Sequence, residues 1–114
     1  MGRPRIYYEF EVPRSVVEIV KSLCADYERR ELAIKHSNIS GDVLMRYVEL
    51  NAAIDKAFSS FSPEVKGWML SDVASGRGYD YSQCTSLLGR KAYYLKKRKI
   101  IFDIALDLYL LPKK

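Results

Sequence analysis

Between residues 43 and 61, apolar side chains return with the period of an α-helix: Val43, Tyr47, Leu50, Ile54, Ala57, Phe58 and Phe61, with Leu44 and Val48 broadening the stripe. A strand turns every second residue to the opposite face, so this spacing predicts one long amphipathic helix. Such a helix needs an apolar surface to pack on, and the rest of the chain has to supply it. The chain has 114 residues, 48% of them apolar and 12% aromatic, which suits one core but leaves little room for two.

The flanking segments read as partners of that helix. Ser15-Val16-Val17-Glu18 has capping-box spacing. Val16, Val20, Leu23, Cys24 and Tyr27 then continue at helical spacing, which predicts a first helix from Ser15 to about Ile34, with His36-Ser37-Asn38 as a connector. Ser40 or Asp42 opens the long helix. Ser62-Pro63-Glu64 ends it and starts the next, with Ser at the N-cap, Pro at the first helical position and an acid in the first turn. That helix carries Val65, Trp68, Met69 and Val73, with Trp68 as a core residue, and stops at Gly76-Arg77-Gly78. Asp80 or Ser82 caps a short helix of about two turns, which Gly89 breaks. A last helix runs from Arg90 to about Leu110, before Pro112. The fold class expected is all-α, about five helices in one domain over 13–111. Residues 1–12 are a basic arm followed by a short extended segment in which Ile6, Tyr8, Phe10 and Val12 alternate with polar neighbours. Val20, Leu23, Tyr47, Ile54, Trp68, Leu88, Ile104 and Leu108 are expected to be buried together.

Several function classes find no support. No run of 18 apolar residues is present, so no membrane span is expected. Acidic residues follow the N-terminal basic residues too soon for a signal peptide, and the expected location is cytoplasmic. Cys24 and Cys84, in apolar surroundings 60 residues apart, read as reduced, buried thiols. With one histidine and no phosphate-loop, dinucleotide, zinc or metalloprotease motif, neither a catalytic site, a metal site nor a cofactor is expected, and the chain reads as not an enzyme.

Charge is the more specific signal. Of the net charge of +5, the stretch Arg90-Lys91-Ala92-Tyr93-Tyr94-Leu95-Lys96-Lys97-Arg98-Lys99 alone holds six bases and no acid. A local basic cluster on a helix is the electrostatic footprint of a polyanion partner. The second half of the same helix has an apolar seam, Ile101, Ile104, Ala105 and Leu108. The expected arrangement is therefore an anchored C-terminal half and a projecting basic half. Arg90, Lys91, Lys96, Lys97, Arg98 and Lys99 are the phosphate-contact candidates, and Arg90 and Lys91 are placed to reach base edges. Tyr93 is a candidate for a sugar-phosphate contact, and Tyr94 is read as core. In the arm, Gly2-Arg3-Pro4-Arg5 adds Arg3 and Arg5, in a string similar to the core of a minor-groove AT-hook.

From Pro63 to Arg98 the order of scaffold helix, short helix, glycine turn and basic helix resembles the helix-turn-helix of sigma-factor region 4. Tyr81, Cys84, Leu87, Leu88 and Gly89 occupy its packing and turn positions, placing the motif at about 63–110. The wider pattern is similar to phage-encoded regulators of the RinA/ArpU kind: Tyr47-x-x-x-Asn51-x-x-Ile54-Asp55-x-Ala57, Gly78-Tyr79, Tyr93-Tyr94-x-x-Lys97-Arg98, Ile104-Ala105-x-x-Leu108. This resemblance covers residues 43 to 111. It implies a DNA-binding regulator of phage or prophage late genes, with duplex DNA as partner, host RNA polymerase as a further one and a homo-oligomer as a compatible assembly. Two other readings fit the same residues. One is a small packaging protein like a terminase small subunit; the other is an adaptor docking through Tyr7 to Glu11 without nucleic acid. A ribbon-helix-helix built on Tyr7 to Val12 is disfavoured by its acidic outward positions.

Overall fold

The computed structural model describes residues 10–36 and 39–112. Five α-helices form an all-α domain: α1 (Arg14–Ala25), α2 (Tyr27–His36), α3 (Gly41–Ala57), α4 (Pro63–Ser75) and α5 (Arg90–Asp107). Two 3-10 turns, Tyr79–Tyr81 and Gln83–Ser86, connect α4 to α5. No strand occurs among the described residues. The alternating segment expected before α1 lies mostly outside them; of its members, Phe10 sits in a turn, and Glu11 and Val12 have no regular structure.

α1 lies along α4, and α5 crosses α1, α4 and the second half of α3. Their shared core comprises Val20 and Cys24 from α1, Ile54 and Phe58, Met69 and Val73 from α4, Cys84, and Tyr93, Ile100, Ile104 and Ala105 from α5. Of the core expected from sequence, Val20, Ile54 and Ile104 are fully buried, and Trp68, Leu88 and Leu108 pack against the cluster half-buried. Leu23 and Tyr47 stand outside it.

The first helix is not one helix. It starts at Arg14 rather than after Ser15, because the Pro13 carbonyl already accepts from the amides of Val16 and Val17 at 3.0 Å. It breaks at Asp26 (φ −94°, ψ 3°). The Arg30 guanidinium donates at 2.5 Å to the Leu23 carbonyl, the acceptor an unbroken helix would give to the amide of Tyr27. Arg30 is 2% exposed, and its Nε also donates to Asn51 Oδ1 at 2.7 Å. Asn51 Nδ2 donates to Glu31 Oε2 at 2.8 Å and to the Tyr27 carbonyl at 3.2 Å. This polar knot fastens α2 to α3. Burial pushes the Arg30 pKa below its usual value.

The ends of α4 form as its sequence predicts. Ser62 Oγ accepts from the Val65 amide with Pro63 at the first helical position, and Gly76 closes the helix at φ 76° in the left-handed region. The expected two-turn helix after it is replaced by the two 3-10 turns, and the packing positions expected there are corrected: Cys84 is buried and Leu88 half-buried, but Tyr81 and Leu87 are exposed. Ser82 between them is extended (φ −88°, ψ 147°) and its hydroxyl is committed to Asp72 and to the Cys84 amide, so the chain cannot coil continuously through it. α5 stops at Asp107 rather than Leu110: Tyr109 takes φ 60° and the Leu110 amide turns back to the Ala105 carbonyl.

Candidate nucleic-acid interface

The segment between α4 and α5 is held from beneath by one buried carboxylate. Asp72 is 1% exposed. Its Oδ2 accepts from the Ser82 hydroxyl and, at 2.9 Å, from the Tyr93 hydroxyl. Arg77 Nη1 lies 3.6 Å from Oδ1. The Tyr93 hydroxyl also lies 3.2 Å from the Arg77 carbonyl. With one proton to give, it serves the charged and nearer acceptor. Burial, and then the hydrogen bond to Asp72, raise the Tyr93 pKa well above that of a free phenol.

A second set of bonds pins the turn from the side. The Tyr79 amide donates to the Tyr94 hydroxyl at 3.1 Å, and the Tyr79 hydroxyl donates to the Leu88 carbonyl at 2.8 Å. A Cβ at Gly78 would lie 3.1 Å from the Tyr94 oxygen, so a side chain there would have to push that hydroxyl back by a few tenths of an ångström. The start of α5 is thus fixed relative to α4.

On this frame the basic residues separate. Tyr93 is 0% exposed, so the expected sugar-phosphate contact is corrected: its ring and hydroxyl belong to the core. Tyr94 is half-buried against that core, as read from sequence. Lys97 is half-buried and donates to the Arg77 carbonyl at 2.6 Å, beyond the end of α4. Its pKa is pushed down by burial first and by Lys21 as well, against the opposing pull of Asp72. It holds the turn that follows α4. Arg98 is also half-buried, at a cleft of about 790 Å³ between α1 and α5 that Arg14 and Lys21 also line.

Arg90, Lys91, Lys96 and Lys99 are exposed. Arg90 pairs with Asp80 at 2.5 Å and lies 5.0 Å from the Tyr79 ring centroid. Lys99 pairs with Asp103 at 2.7 Å and Lys96 lies over the Phe61 ring at 5.6 Å. These are solvent-facing pairs, each worth at most about 1 kcal/mol, which a phosphate can replace. Lys91 and Lys99, eight residues apart, share one side of the helix. Arg3 and Arg5 lie outside the described residues.

The first turn of α5 has neither a side-chain cap nor an acid. Arg90 and Lys91 instead stand at the positive end of the helix dipole, where cations are destabilising and anions are favoured. Sequence reasoning found this stretch but missed the residue that positions it. The signal was present: Asp72 falls at helical spacing on the apolar stripe of Val65, Trp68, Met69 and Val73, a place where an acid needs a partner.

Among the described residues no group of histidine, cysteine and carboxylate side chains is arranged to hold a metal, and no helix is long and apolar enough to cross a membrane. Comparison with protein-family models, with curated proteins and with solved structures gives no match to this chain.

Proposed function

We propose that the protein binds duplex DNA through the first half of α5 and acts as a transcription regulator of the phage late-gene kind. The observation that carries this reading is the start of α5. It gathers Arg90, Lys91, Lys96 and Lys99 on exposed turns, leaves its amides without a side-chain cap, and puts cations where the dipole disfavours them. A phosphate backbone satisfies all three conditions at once. The Asp72 network supports the same reading, because a helix that reads a groove has to be held rigidly on its scaffold. Arg3 and Arg5 are assigned to a flanking contact, and Arg98 to the edge of the interface. Tyr93 and Lys97 are assigned to the scaffold.

The test is fluorescence anisotropy with duplex fragments at several salt concentrations. Four phosphate contacts give a slope of log K against log salt of about −4. Lys91→Ala and Lys99→Ala each flatten it by about one unit. Lys97→Ala leaves the slope in place and lowers the thermal midpoint instead. Salt-insensitive binding, or none with the domain folded, would sink the proposal.

A second reading has its own observation. Tyr81 and Leu87, on the turn next to the start of α5, are 82% and 60% exposed. Exposed apolar side chains at such a site suit a protein contact, with host RNA polymerase as the partner. A Tyr81→Ser, Leu87→Ser variant that keeps DNA affinity but loses polymerase binding in a pull-down supports it. Unchanged polymerase binding removes it.

A further inference from the structure

The cleft of about 790 Å³ between α1 and α5 has two kinds of wall. One is apolar: Val17 from α1, Val73 from α4, and Tyr94 and Ile101, two turns apart on one side of α5. The other is charged. Among the described residues that line the cleft, Arg14 and Lys21 on α1 and Lys97 and Arg98 on α5 are cations, against one acid, Glu18. Lys21, Lys97 and Arg98 are half-buried.

Two of the cations converge. Lys97 Nζ donates to the Arg77 carbonyl at 2.6 Å, and Lys21 Nζ lies 3.0 Å from where a Cβ on Gly76 would stand. Both ammonium groups therefore sit at the end of α4. Glu18, the acid of the lining, is exposed and no closer than 3.7 Å to Lys21. Burial lowers the Lys97 pKa and Lys21 lowers it further, although Asp72 pulls the other way. Like charges in a concave, partly dry site focus a positive potential, which favours an anion there.

The apolar wall says what the rest of the ligand is. No amide, serine or threonine side chain lines the cleft, and the Tyr94 hydroxyl already accepts from the Tyr79 amide. A nucleotide or a DNA backbone would press polar groups against Val17, Val73 and Ile101 with little to bond them. The chain's own residues before Phe10 carry Arg3 and Arg5 against Glu9, so charge disfavours them as the occupant. Apolar walls with a few charged groups, at this volume, suit a small molecule.

We propose that this cleft binds a small carboxylate with an apolar body, its head among the cations and its body between Val17 and Ile101. The inference stands apart from DNA binding: failure of either leaves the other in place.

Isothermal titration of the full chain with octanoate and with 1-naphthoate tests it. One equivalent of octanoate, of 1-naphthoate or of each is expected to bind saturably. Octanol, which lacks the charge, and acetate, which lacks the body, should bind at least about tenfold more weakly. Lys21→Gln and Arg98→Gln should each weaken the bound carboxylate about tenfold, and Lys35→Gln, on α2, should leave it unchanged. Val17→Trp fills the cleft and should abolish binding with helical circular dichroism retained. Amide chemical shifts of the unaltered chain cover the case in which a variant does not fold: the carboxylate should move those of Val17, Gly76 and Ile101. Failure of both carboxylates to bind overturns the proposal. So does octanol binding as well as octanoate, an affinity that Lys21→Gln and Arg98→Gln leave in place, or shifts confined to other parts of the chain.

Discussion

Asp72 and Tyr93 set the terms for the part of the molecule that matters most. The carboxylate is buried, and Ser82 and Tyr93 both direct their hydroxyls at it. Removing it leaves two polar groups without their acceptor in a dry site, the costly side of hydrogen-bond energetics. Asp72→Ala should therefore lower unfolding stability by about 3 kcal/mol in a denaturant titration. A second residue-scale consequence concerns alkaline pH. Burial pushes the Cys24 thiol up from 9.0 to about 12, with Arg30 pulling weakly the other way, and Tyr93 is raised by burial and by Asp72. For both groups the folded state keeps its proton longer than the unfolded chain does. Their contribution is complete below about pH 9 and is lost as pH rises toward 12, by up to about 4 kcal/mol for the thiol. Stability measured by urea unfolding should fall from pH 9 upward, and Cys24→Ala should flatten the portion between pH 9 and 10. A level profile there would contradict the burial assigned to Cys24.

At the scale of elements, α4 is the piece whose ends are best defined. Gly76 at φ 76° lets the chain leave the helix and turn its next residues back over the Asp72 network. Gly76→Ala puts a side chain in a conformation that L-residues disfavour, with its Cβ 3.0 Å from Lys21 Nζ, the flexible end of a side chain that can move aside. The expected loss is about 1 kcal/mol, nearly all from the backbone, read as a lower thermal midpoint. α5 shows the opposite balance. Its second half is anchored by Ile100, Ile104 and Ala105, whereas its first turn is electrostatically unfavourable by itself. That contrast within one helix separates a half that anchors in the core from a first turn that contributes little to stability.

The whole molecule measures 51 × 35 × 22 Å, with a radius of gyration of 14.8 Å. A compact chain of this length is expected near 13 Å, so the outline is somewhat elongated. Local stability should follow the core. Amides of α2 and the start of α3, whose side chains stand outside the hydrophobic cluster, should exchange with deuterium well before those of α4 and of α5 around Tyr93 to Ala105. Equal protection along the chain would mean that α2 and the start of α3 belong to the main cooperative unit.

Much of this was legible from residue order, and the reason is periodicity. The Val43–Phe61 stripe, the Ser62-Pro63-Glu64 start, the Gly76 stop and the basic half of α5 are local patterns, each fixed by the geometry of one helix, and so the all-α class and the boundaries of α4 could be read directly. What the tertiary structure decided is which side of each helix meets another. Tyr93 and Tyr94 are adjacent and chemically alike, yet Tyr93 is in the core, because the acid that receives its hydroxyl comes from α4, 21 residues away. Lys97 looks like its basic neighbours until the Arg77 carbonyl, in the turn after α4, takes its ammonium. Arg30 breaks the first helix because Asn51, on another helix, completes its hydrogen bonds. Period and capping are properties of a short stretch; burial of a polar group depends on a partner that folding brings from elsewhere in the chain.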